Sequence, residues 1–111
     1  MLSFQRLDVY RRAIEFLALV GDVTGDLPRG HAERAAQLVR ASESILRNIA
    51  EGCGRWSSAD SAKHFKIARG EAMECAASLD VMQLRKVVSA ERYEDGIRHL
   101  EAIVAMLTKM V

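Results

Sequence analysis

Apolar residues recur along this chain at three- and four-residue steps, the spacing that lines one face of an α-helix. The cleanest run lies in residues 58–87, where Phe65, Ala68, Ala72, Cys75, Leu79 and Met82 step by 3, 4, 3, 4 and 3, a heptad seam. A second stripe, Ile67, Gly70, Ala77, Val81 and Leu84, lies roughly opposite. A mid-helix glycine costs about 1 kcal/mol against alanine, and close approach of another backbone at Gly70 would offset that cost. In residues 90–110, Tyr93, Ile97, Leu100, Val104, Leu107 and Val111 form one face, with Ile103, Met106 and Met110 as a second edge. In residues 8–24 the stripe is Leu7, Tyr10, Ile14, Leu17 and Gly21, widened by Val9, Phe16 and Val20. In residues 29–52, His31, Leu38, Ser42, Ile45 and Ile49 share a face. Arg40, Ser44, Arg47 and Glu51 lie opposite, and Val39 and Leu46 make a flanking apolar patch.

The breaks between these stretches carry turn chemistry. Gly25-Asp26-Leu27-Pro28 ends the first, and Pro28 suits the first turn of the second. Gly52 and Gly54 read as a helix stop, Ser57 with Asp60 matches a capping box, and Ser89 is placed to cap the last helix. Four amphipathic helices with short connections predict an all-α fold, an antiparallel up-down-up-down four-helix bundle, with residues 1–111 as one domain. The extra stripes exceed what a lone bundle must bury. They predict a homo-oligomer, with Ile67, Gly70, Ala77 and Val81 at the interface.

Composition fits that picture. Half of the 111 residues are apolar, yet the aromatics are only three Phe, two Tyr and one Trp. The formal net charge of +1 argues against strong nonspecific nucleic-acid binding, which normally needs a basic surface. No signal sequence or membrane-length apolar run occurs, so a cytoplasmic protein with no membrane contact and two reduced, buried cysteines, Cys53 and Cys75, is expected.

Little in the sequence points to catalysis. His31, His64 and His99 fall on different helical stretches, and Glu71 and Glu74 lack the Glu-x-x-His spacing of a di-iron bundle. No metal, cofactor or enzymatic activity is expected. Cys53 sits by Arg55 and close to the start of the third helix, both of which would lower a thiol pKa, but a partner base is not evident. Arg40, Arg47, Arg55, Lys63, Lys66 and Arg69 could line one edge of the corner between the second and third helices, with Trp56 as a stacking platform for nucleic acid. The competing reading makes them solvated residues or internal ion pairs, Arg47 with Glu51 and Arg40 with Glu43 or Ser44.

The segment Ser44-Ile45-x-x-Asn48-Ile49-Ala50-Glu51-Gly52-x-Gly54-Arg55-x-Ser57 resembles the signature of the four helix bundle protein family, also called the 23S rRNA-intervening sequence proteins. Phe65-x-Ile67-Ala68-Arg69-Gly70 with Glu74 resembles its next block. Phe4-x-x-Leu7-x-Val9-Tyr10-x-x-Ala13 and Thr24-x-x-Leu27-Pro28 are similar to its opening. The resemblance implies an antiparallel four-helix bundle that assembles as a five-fold ring. It also implies partners: some members are encoded within insertions in large ribosomal RNA genes, and others are accessory subunits of diversity-generating retroelements that bind nucleic acid and a reverse transcriptase. A homopentamer associated with RNA, DNA, a reverse transcriptase or another protein is the expectation it carries. Those accessory subunits are markedly basic, whereas this chain is nearly neutral. Within the motif, Ile45 and Ile49 are expected in the core. Asn48 is placed to hydrogen-bond a neighbouring helix, and Arg55 to cap helix carbonyls or clamp Glu51.

Overall fold

The computed structural model describes residues Met1–Val111. A short 3-10 turn, Ser3–Arg6, leads into α1 (Asp8–Gly25), α2 (Ala32–Cys53), α3 (Ser58–Leu84) and α4 (Ala90–Thr108). Each helix packs on two neighbours: α1 on α2 and α4, and α3 on α2 and α4. Contacts between α3 and α4 join Asp80 to Tyr93 and Arg69 to Thr108. Those between α1 and α4 join Asp26 to Arg92 and Glu15 to His99. Along each pair one residue number rises as the other falls, so these neighbours run antiparallel. The result is an elongated bundle, 45 × 24 × 23 Å.

The seam predicted for α3 is the core. Phe65, Ala68, Ala72, Cys75, Leu79 and Met82 are all buried. On α2 Leu38, Ser42, Ile45 and Ile49 are buried, as the pattern implied, joined by Ala41 and by Leu46 from the flanking patch, and the Ser42 hydroxyl is satisfied by donating to the Val39 carbonyl at 2.9 Å. On α1 and α4 the phase differs from the predicted one. The buried positions are Val9, Ala13, Phe16, Val20 and Val23 on α1, and Gly96, Leu100, Ile103 and Leu107 on α4, while Ile14, Gly21 and Val111 are exposed. Both helices have apolar faces wide enough to allow either phase. Gly96 settles it for α4: a Cβ there would lie 2.7 Å from Leu79 Cδ1, so the glycine turns inward and lets α3 approach.

Two helix boundaries differ from expectation by three residues, for local reasons, and the others by at most two. Helix α2 starts at Ala32 rather than residue 29, because Gly30 adopts φ +92, outside the helical region. Pro28 therefore lies in the connection, and His31 precedes the helix instead of joining its core face; its Nδ1 accepts from Arg34 Nε at 3.3 Å. Helix α3 stops at Leu84, not residue 87. There Lys86 takes the left-handed conformation (φ 60), the Lys86 N–H donates to the Gln83 carbonyl, and the Val87 N–H donates to the Met82 carbonyl. That pair of bonds is a Schellman stop, with lysine where glycine is usual. The starts of α3 and α4 agree with prediction: Ser57 Oγ accepts from the Asp60 N–H, and Ser89 Oγ from the Arg92 N–H, each at 3.1 Å.

Both cysteines are free thiols. Cys75 is in the core, and burial, reinforced by the nearby Glu71 and Glu74 carboxylates, pushes its pKa up to about 12. Cys53, expected to be buried, is exposed as the last residue of α2.

Candidate functional site

The family-like motif occupies the end of α2 and the connection to α3. Here the antiparallel pairing brings residues far apart in sequence into one polar network. Asn48 Nδ2 donates to the Ser44 carbonyl at 2.9 Å and to the Ser44 hydroxyl at 3.1 Å. Its Oδ1 lies 3.2 Å from His64 Nδ1 on α3, which is the expected bond to a neighbouring helix. On the other side of the ring, His64 Nε2 accepts from Arg55 Nε at 3.1 Å. An arginine nitrogen only donates, so the ring proton resides on Nδ1. It is shared between Asn48 and the Glu51 carboxylate, 3.3 Å away. Glu51 also holds Arg55 at 3.7 Å. The network therefore clamps Arg55, in the α2–α3 connection, to both helices.

His64 is the member that sequence reasoning missed. It lies 16 residues from Asn48, and only the register of α2 against α3 joins them. A signal was available: at ~100° per residue, position 64 falls beside the Phe65–Ala68 seam, on the border where a polar side chain meets the next helix.

Of the motif glycines, Gly54 is the C-cap residue that ends α2, as expected, whereas Gly52 acts differently. Gly52 is inside α2, and neither it nor Gly54 has positive φ. A Cβ on Gly52 would lie 2.5–2.9 Å from three ring atoms of Phe65. Gly52 is thus a packing notch for the Phe65 ring. A Cβ on Gly54 would meet only carbonyl oxygens at 3.6 Å, an ordinary contact.

Cys53 does not have the setting of an activated thiol. It closes the C-terminal end of α2 rather than adjoining a helix N-terminus, and partial burial raises its pKa. His99, on the α1–α4 seam, has a buried Nδ1 with no hydrogen-bond partner. Burial foremost, then the Arg12 guanidinium, lowers its pKa, against an opposing pull from Glu15.

The six candidate basic residues do not form one patch. Arg40, Lys63 and Lys66 are exposed and free of ion pairs. Arg47 pairs with Glu43 at 3.9 Å rather than with Glu51, which is taken by Arg55 and His64. Arg69 turns toward α4 and donates to Thr108 Oγ1 at 2.9 Å, away from the α2–α3 edge. Trp56, in the connection, is fully exposed at 103%. On the outer face of α3, Ile67, Val81 and Leu84 are exposed together with Gly70 and Ala77. No side chain of the chain comes within 4 Å of a Cβ built at Gly70, so the close approach expected there is not made within this bundle.

These features define a class: a small antiparallel four-helix bundle with a polar clamp at one corner and an apolar outer helix face. The 23S rRNA-intervening sequence protein family model matches residues 5–109, and the chain belongs to that family. A crystal structure of a protein of unknown function, from the S23 ribosomal protein family of Bacteroides thetaiotaomicron, superposes with TM-score 0.84 at 25% identity, covering 92% of this chain and 96% of that one. No protein of curated function matches the chain. No helix is long and apolar enough to cross a membrane.

Proposed function

We propose that this protein is a non-enzymatic, homo-oligomeric scaffold that associates with nucleic acid. The observation that carries it is the outer face of α3. There Ile67, Gly70, Ala77 and Val81 present an uncovered, largely apolar strip with the exposed Glu74 between its halves, and the unpaired Lys63 and Lys66 stand at its corner end. Apolar strips of this kind mark association surfaces. A ring, five-fold in the form the family resemblance implies, would repeat a weakly basic site around its rim, and avidity would offset the low charge of each subunit. A structural rather than catalytic role for the corner is supported by His64, both of whose ring nitrogens are engaged in the clamp.

Solution mass together with binding to RNA and DNA at two salt concentrations tests the proposal. A monomer at micromolar concentration would remove the assembly half. Absence of binding even at low salt would remove the nucleic-acid half.

A second reading is a protein-docking scaffold, for example for a reverse transcriptase, with no nucleic-acid contact. It is favoured by the internal engagement of Arg47, Arg55 and Arg69 and by the net charge of +1. A pull-down that retains a defined protein after nuclease treatment would favour this reading over the first.

A further inference from the structure

Trp56 is the chain's single tryptophan, and its side chain is fully exposed. A bare indole is an unusual thing to leave in water, because aromatic rings of this size normally bury most of their surface. Its backbone is held from both sides. Arg55, the residue before it, is clamped by Glu51 and His64, and Ser57, the residue after it, caps α3. The connection therefore presents the ring from an anchored backbone rather than from a loose loop. Its immediate neighbours are Arg55, Ser57 and Ser58, polar or cationic. The unpaired Lys63 and Lys66 follow on α3, the first about 8 Å along the helix axis at 1.5 Å per residue.

We infer that Trp56 is a stacking platform for an unpaired base of single-stranded RNA or DNA, with Lys63 and Lys66 neutralising the adjoining phosphates. The chemistry fits in three respects. Every base offers a flat π face to an exposed indole, so such a site tolerates sequence. Cations beside an aromatic ring are the pairing that single-strand sites use. A duplex hides its base faces and would meet only the lysines. The inference rests on the nucleic-acid reading above and specifies it: single strands over duplex, and bases as well as backbone. Met1, Leu2 and Val111 are also exposed at this end of the bundle, so burial of the indole by a second copy is the competing occupant.

The test uses the fluorescence of the sole tryptophan. Titrating the intact protein at low salt with a pyrimidine homopolymer strand should quench and shift its emission, and a duplex of equal length should do so much less. With binding by the tryptophan-free variants and the parent read from the anisotropy of a fluorescently labelled strand, Trp56→Ala should weaken single-strand binding about tenfold or more, whereas Trp56→Phe should restore most of it. Circular dichroism of both variants should match the parent, since the ring packs on nothing. If the parent binds single strands and Trp56→Ala binds them equally well, stacking is overturned while the nucleic-acid reading stands. Equal quenching by duplex overturns it likewise. If the parent binds no strand at low salt, both fall. A blue shift that follows protein concentration alone would assign the indole to a second copy and overturn the inference.

Discussion

At the scale of single residues, Gly52 shows how a motif position can be read correctly as necessary and wrongly as to why. Glycine near a helix end is the usual stop, and the sequence around Gly52 offers nothing to contradict that. The structure places the need elsewhere: the Phe65 ring lies where a Cβ would be. Gly52→Ala should therefore destabilise the bundle by about 1–3 kcal/mol, the range for overpacking a fitted core. Gly54→Ala, two residues on, should cost far less. Chemical denaturation of the two variants checks this, and Phe65→Leu in the Gly52→Ala background should recover part of the loss. Equal effects at the two glycines would restore the turn explanation. The notch was not legible in the sequence because Phe65 is 13 positions away and nothing local reports which ring will face which backbone. The core positions of α3 were legible although a second apolar stripe lies opposite, because the Phe65–Met82 run keeps an unbroken three- and four-residue step while the other stripe is interrupted at Glu74.

At the scale of elements, the starts of α3 and α4 were readable because serine caps act within three residues. The end of α3 was not. A Schellman stop is signalled by glycine, and here Lys86 occupies the left-handed position. Such a conformation costs an L-residue roughly 1–2 kcal/mol, so Lys86→Gly should stabilise the protein by about 1 kcal/mol, raising the melting temperature by several degrees. A loss of stability would show that the lysine side chain makes a compensating interaction. The α1–α4 seam carries a second expectation. His99 has a lowered pKa there, faced by Arg12 and Glu15 of α1 and by Asp95 and Arg98 of its own helix. The folded state thus binds this proton less readily than the unfolded chain does, whose histidine titrates near 6.5. By linkage, the seam's stability is full above that value and falls as pH drops through it toward the lower native one. Urea unfolding from pH 7.5 to 5 should show a steeper loss for the parent than for His99→Asn. Glu15→Gln should steepen it further, because Glu15 is a group that supports the charged imidazole. A parent and His99→Asn with parallel pH profiles would contradict the burial argument.

At the scale of the whole molecule, fold and association separate. The apolar periodicity contains the bundle, since four stripes joined by short connections admit few other arrangements. It contains association only as a remainder, the apolar positions that no helix of the same chain covers. The surface gives that remainder some measure: a compact protein of 12.3 kDa would expose about 6100 Å², and this one exposes 6720 Å². The elongated shape, 45 × 24 × 23 Å, is in keeping with that larger surface. Gly70 makes the question sharp, because in an isolated bundle it has no packing reason to be glycine. Gly70→Ala should then stabilise a monomer by about 1 kcal/mol through helix propensity alone. If another copy's backbone lies against that face, the same substitution should instead lower the solution mass or weaken assembly. Ile67→Arg with Val81→Glu, both at exposed sites, should dissociate the oligomer while leaving the helical content unchanged. Light scattering after size exclusion, with circular dichroism alongside, distinguishes these outcomes. A stabilised Gly70→Ala protein of unaltered mass, together with an Ile67→Arg, Val81→Glu protein that also keeps the parent mass, would move the interface off α3. Its apolar strip would then need a different partner.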